Sequence, residues 1–256
     1  MAKIVSVHSF RGGTGKSNLT ANLAAMIASR GTRVGVIDTD INSPGIHVLF
    51  GMNEEDMGKA LNDYLWGRCS IEETAYDVTA RVRGGQVEVP ANAQVYLIPS
   101  SIKAGEIARI LREGYDVGML NDGFRALIGR LKLDYLLIDT HPGLNEETLL
   151  SIAISDILLI ILRPDQQDFQ GTAVTVDVAR RLEVPRMLLV VNKVLSAFDP
   201  EAVRQEVEKN YSTAVAGVLP LSEDVVRLAS RDIFCVRFPD HLVSQRIGEI
   251  AAQVMA

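Results

Sequence analysis

Short runs rich in β-branched residues and leucine recur along the chain: Ile4 to His8, Arg33 to Asp38, Val95 to Ile98, Tyr135 to Asp139, Ile157 to Leu162, Met187 to Asn192 and Val215 to Leu219. Most are continuously apolar rather than alternating, the pattern of strands buried on both faces. Between them lie longer stretches of helical periodicity: Lys16 to Ser29, Ala104 to Arg112, Asp122 to Leu131, Gln170 to Leu182, Pro200 to Lys209 and His241 to Met255. Strands that alternate with helices cannot pair as hairpins, which predicts a three-layer α/β fold. Its central sheet is mostly parallel, of about seven or eight strands, with helices on both faces. The stretch from Val78 to Val89, with Gly84-Gly85 at its middle, is expected to be a β-hairpin decorating the sheet edge, because paired glycines suit a tight turn.

No internal repeat or low-complexity linker interrupts this pattern, so a single domain over residues 1–256 is expected. The net charge of −6 argues against whole-molecule attraction to nucleic acid or anionic lipid. The two cysteines, Cys69 and Cys235, stand far apart with no metal-ligand spacing, and this speaks against a disulfide framework. The start of the chain shows no basic leader, and no apolar run is long enough to span a bilayer; a cytoplasmic location is expected.

The first strand leads into Phe10-Arg11-Gly12-Gly13-Thr14-Gly15-Lys16-Ser17, and Lys16 opens a helix. Strand, glycine-rich loop and helix together are the context of a phosphate-binding loop. The glycines allow successive N–H groups to point inward at phosphates, and the helix N-terminus adds partial positive charge. Lys16 would reach the terminal phosphates, and the Ser17 hydroxyl would ligate Mg²⁺. Two carboxylates, Asp38 and Asp40, follow the second strand in Asp38-Thr39-Asp40-Ile41-Asn42-Ser43-Pro44-Gly45, and Asp139 ends another strand in Asp139-Thr140-His141-Pro142-Gly143. Residues at the C-terminal ends of parallel strands fall beside the phosphate loop.

Phenylalanine at position 10 breaks the ordinary Walker A pattern, which needs glycine there. The run instead resembles the deviant form, K-G-G-x-G-K-[ST], of the MinD/ParA family of ATPases, and the two acidic segments resemble that family's switch I and switch II. The resemblance extends over nearly the whole chain, through Asp63-Tyr64-Leu65, Cys69 to Glu73 and Leu97 to Ser101.

The resemblance implies binding of Mg²⁺ with ATP or ADP by a homodimer that sandwiches nucleotide, with slow, partner-stimulated hydrolysis. Catalytic roles would fall to Lys16, to Asp40 on the attacking water, and to Arg11 reaching across the dimer. Arg11 replaces the family's usual lysine. Its planar fork of donors suits phosphate, although a carboxylate within its own subunit is an alternative partner. Nucleotide contacts would come from Arg11, Gly12, Gly13, Thr14, Gly15, Lys16, Ser17 and Asn18, with Asn192 and Pro220 beside the base. Asn18 stands where the family commonly has a hydroxyl residue. Ser17, Asp139 and, from the second layer, Asp38 would hold the metal and its water. His141 is treated as a switch-loop residue.

MinD-type members end in a basic amphipathic helix; the segment Gln245 to Ala256 has one arginine and one acid, so no membrane-targeting helix is evident. ParA-type members bind non-specific DNA through basic surface residues, for which Arg180, Arg181, Arg186, Arg204, Arg227, Arg231, Arg237 and Arg246 are candidates not favoured by the net charge. Two alternatives remain: an ATP-dependent metal-cluster chaperone of the same superfamily, and a nucleotide-sensing module with vestigial hydrolysis or an amide-forming ligase.

Overall fold

A computed structural model describes residues 2–256. Its strands are β1 (Lys3–His8), β2 (Arg33–Asp38), β3 (Tyr76–Asp77), β4 (Gln94–Ile98), β5 (Tyr135–Asp139), β6 (Ile157–Leu162), β7 (Arg186–Val194) and β8 (Val215–Pro220). They form one eight-stranded sheet in the order β3-β4-β2-β5-β1-β6-β7-β8. All neighbours are parallel except the short edge pair β3 and β4.

The first half of the chain carries helices α1 (Lys16–Ala28), α2 (Ile46–Leu49), α3 (Leu61–Leu65), α4 (Thr79–Arg83), α5 (Ala104–Glu113) and α6 (Gly118–Leu131). The second half carries α7 (Glu146–Ala153), α8 (Gln166–Arg181), α9 (Pro200–Tyr211), α10 (Glu223–Leu228), α11 (Phe234–Arg237) and α12 (Leu242–Met255). The period of two along each strand divides their packing. Tyr135 and Leu137 of β5, with Val5 and Val7 of β1, face the layer of α1, α11 and α12. Leu136 and Ile138 face the layer of α3, α5 and α6 instead. Further along the sheet, Leu158, Ile160 and Leu162 of β6 pack with Val176 of α8 and Val207 of α9. Continuous apolar runs are therefore what this architecture demands, because either parity of a strand meets a helix layer.

The expected hairpin at Val78 to Val89 is not formed. Thr79–Arg83 is the short helix α4, and the antiparallel edge strand is Tyr76–Asp77 just before it. The glycine pair serves close approach rather than a turn: a Cβ on Gly85 would lie 2.1 Å from Val236 Cγ1 and 2.4 Å from the Val236 carbonyl oxygen. Gln86 N–H donates to that same carbonyl over 3.0 Å, fastening the segment to α11. Helix α7 is also absent from the expected elements; its Asn145 cap accepts from Thr148 N–H.

The C-terminal helix α12 turns Val243, Ile247, Ile250 and Val254 inward onto β8 and α1, as a packed helix rather than a projecting one. Among the described residues, no helix is long and apolar enough to cross a membrane.

Candidate functional site

Strand β1 lies between β5 and β6, so the loop that leaves it opens at the middle of the sheet's C-terminal edge. Gly13 (φ 76°) and Gly15 (φ 97°) take left-handed backbone conformations. Gly15 is constrained twice, since a Cβ there would sit 2.6 Å from Asn192 Nδ2. It also occupies the N-cap of α1 and contributes no side-chain cap, so the helix's first N–H groups face the loop. Phe10, standing where an ordinary Walker A loop has glycine, lays its ring over Gly171 of α8. A Cβ at Gly171 would come within 2.1 Å of that ring.

Lys16, buried at the start of α1, places its Nζ 3.3 Å from Asp139 Oδ1. Thr20, one helical turn on, donates to the same carboxyl oxygen over 3.3 Å. Parallel register puts Asp38 of β2 beside Asp139 of β5, and Thr39 N–H donates to the Asp139 carbonyl. Both Asp38 oxygens accept backbone N–H groups, Oδ1 from Asp40 at 3.0 Å and Oδ2 from Gly45 at 3.2 Å. Asp38 thus holds the loop that presents Asp40. Burial first, and then the carboxylates of Asp139 and Asp40, push the Asp38 carboxyl up to about 8. A bound divalent cation would reverse that preference.

The residues fit such a cation. Asp139 Oδ2 is buried without a hydrogen-bond partner among the described residues, an acceptor suited to a water of a magnesium shell. No group of three or more His, Cys, Asp or Glu side chains among the described residues could hold a metal ion by themselves. A magnesium ion here would therefore take its remaining ligands from the Ser17 hydroxyl, phosphate oxygens and water, its usual habit at phosphate sites.

Asp40 Oδ1 accepts from Ser43 N–H at 3.1 Å and contacts His141 Nδ1 at 2.6 Å. The latter contact joins the loop after β2 to the loop after β5. In sequence His141 is only a switch-loop residue, and no feature of its surroundings singles out Asp40, a hundred residues away, as its partner. Arg11 is half-buried and, among the described residues, makes no ion pair; the carboxylate partner within the subunit is not found.

A largely apolar cleft opens beside Gly15, lined by Leu219, Pro220, Val225, Phe234 and Ile247 with the amides of Asn18 and Asn192 at its rim. Apolar walls with an amide rim suit a planar base. Asn192 Nδ2 donates to the Thr14 carbonyl at 2.8 Å, so this side chain buttresses the phosphate loop directly. Its neighbour Lys193, which carries no local sequence signature, donates through Nζ to the Gly13 carbonyl at 2.8 Å. Asn18 Nδ2 donates to Ser230 Oγ, tying α1 to the turn after α10.

A glycine loop at the N-terminus of α1, a lysine on a strand-end aspartate and a base-sized cleft beside them define a P-loop nucleotide-binding protein. A family model described as AAA domain matches residues 2–185. The chain belongs to that family and, within it, to the MinD/ParA type of P-loop ATPases. It is 25% identical, over 100% of its length and 88% of the relative's, to an uncharacterized ATP-binding protein of Methanocaldococcus jannaschii. It is likewise 25% identical to an iron-sulfur cluster carrier protein of Pyrococcus abyssi, over 73% of this chain and 60% of that one. The septum site-determining protein MinD of Pyrococcus horikoshii, solved with Mg-ADP, shares the fold with a TM-score of 0.79 at 21% identity, covering 99% of this chain and 96% of that one.

Proposed function

We propose that the whole chain acts as a Mg-ATP-dependent dimerisation switch, in which two copies sandwich two ATP molecules and slow hydrolysis dissolves the pair. The observation that carries this reading is the state of the charges at the phosphate loop. Lys16, Asp38, Asp40 and Lys193 all have partners within the chain. Arg11, at the mouth of the same loop, has no ion-pair partner among the described residues, and its guanidinium suits phosphate oxygens offered by a second copy. Lys16 and the loop N–H groups would bind the phosphates, with magnesium neutralising their charge. Asp40 would orient the attacking water, and Asn192 and Pro220 would flank the base. ATP and association are then linked, because nucleotide stabilises whichever state binds it better.

Size-exclusion chromatography tests this. The parent chain is expected to elute as a dimer only with Mg-ATP, Asp40→Ala to remain dimeric for longer, and Lys16→Ala to stay monomeric. A chain that is monomeric under all conditions would sink the proposal.

The resemblance to the septum site-determining MinD supports a switch that presents a surface to a protein partner. Non-specific DNA binding has less support. Arg181, Arg227 and Arg246 pair with acids on their own helices, and Arg180 is spent on carbonyls at the end of α9. The metal-cluster reading rests on the iron-sulfur carrier relative. Against it, Cys235 is fully buried, and that burial pushes its thiol up to about 12. Cys69 alone is accessible enough to meet a symmetry mate. Iron retained after anaerobic reconstitution would revive this alternative.

A further inference from the structure

We propose that His141 is a positioning residue for Asp40, fixing the rotamer from which that carboxylate orients the attacking water. The inference rests on the reading of Asp40 given above. Its geometric basis is a carboxylate held on one side only. Oδ1 receives Ser43 N–H at 3.1 Å and faces His141 Nδ1 at 2.6 Å. Oδ2 accepts no hydrogen bond among the described residues and is the oxygen left for water. A carboxylate only accepts, so the proton of this contact sits on Nδ1 of the imidazole.

The imidazole can serve as a fixed strut because its own loop is fastened. Gly143, at φ 85°, donates its N–H to the Ser9 carbonyl over 3.1 Å. The ring of Pro142 lies against Gly12, within 4.0 Å of where a Cβ would stand. Asn145 caps α7 directly after it. His141 is therefore referenced to the phosphate loop itself, and it passes that reference to the Asp40 side chain, which holds no other side-chain partner among the described residues, while the backbone around it is fixed by Asp38 and by Thr39 on the Asp139 carbonyl. A side chain that leaves the fold untouched yet holds the water-orienting group acts on turnover rather than on binding, since even a misplacement of about 1 Å costs on the order of a hundredfold.

The test is ATP hydrolysis by four chains, read as kcat and KM over hours where turnover is slow. His141→Ala is expected to lower kcat about tenfold or more while KM for ATP stays within about twofold. His141→Asn, whose amide nitrogen takes the place of Nδ1, is expected to recover kcat to within about threefold of the parent. Asp40→Ala/His141→Ala is expected to be no slower than Asp40→Ala alone, the signature of two groups acting as one unit. Parental or raised kcat in His141→Ala, failure of His141→Asn to recover, or an added loss in the double variant would each overturn the inference. If Asp40→Ala itself turns over at the parental rate, the assignment of Asp40 fails and the inference falls with it. If Asp40→Ala slows while His141→Ala does not, only the role of His141 is lost.

Discussion

At the C-terminal end of β1, His8 is fully buried, with Nδ1 2.8 Å from Thr140 Oγ1, whose hydroxyl in turn donates to the Val7 carbonyl. Because Thr140 spends its proton there, His8 donates from Nδ1, and Nε2 is left as a buried lone pair without a partner. Burial first, with Lys16 and then His141 adding like charge, lowers its pKa from 6.5 to about 3. A histidine depressed in the folded state stays neutral while the unfolded chain takes up a proton, so its contribution to stability is lost as pH falls from about 6.5 toward 3. Replacing it by asparagine keeps the donor to Thr140 without the titration. Relative to the parent, His8→Asn is expected to lose about 2 kcal/mol less between pH 7 and pH 5, measured by urea unfolding at each pH. Equal pH slopes for the two chains would contradict the account. The strand that ends in this histidine is legible in sequence, as are Lys16, Asp40 and Asp139. His8, Thr140 and Lys193 are not, because their partners come from other strands and carry no local signature.

At the scale of elements, the long helices follow their periodicity closely: the expected Lys16 to Ser29 forms as Lys16–Ala28, and the expected His241 to Met255 as Leu242–Met255 with His241 at the cap. The error at Val78 to Val89 has a physical cause. A glycine pair suggests backbone freedom, whereas Gly84 ends a helix at φ −71° and Gly85 is needed because Val236 leaves no space for a methyl group. A φ of −71° admits any residue, so only Gly85 is required, and by a contact with a residue more than a hundred positions away. Gly85→Ala is accordingly expected to pry this segment from α11 and cost about 1–3 kcal/mol, seen as a lowered urea midpoint. If the glycine served only a turn in open solvent, the same change would leave the midpoint within experimental error. The brief helices α2, α3, α10 and α11 escape sequence reading because four to six residues hold too few turns to display a period.

For the whole molecule, the sheet order gathers the loops after β1, β2 and β5 at one edge, with the ends of β7 and β8 beside them for the base. Nucleotide bound there would touch segments from Arg11 to Pro220, so it should stabilise the chain as a unit. Mg-ATP at about a hundred times its dissociation constant is expected to add roughly 2.7 kcal/mol, raising Tm in a thermal scan, and Lys16→Ala to lose most of that rise. An equal rise in the Lys16→Ala chain would place nucleotide elsewhere. By itself, the sequence determined the fold class, the phosphate loop and the strand-end acids, since strand burial, glycine spacing and helix periodicity are local and repeat within a few residues. Tertiary structure alone decided that His141 meets Asp40, that Asn192 and Lys193 brace the loop, and that Arg11 has no ion-pair partner among the described residues. Those facts depend on which strands become neighbours, and strand order is set by packing across the whole sheet.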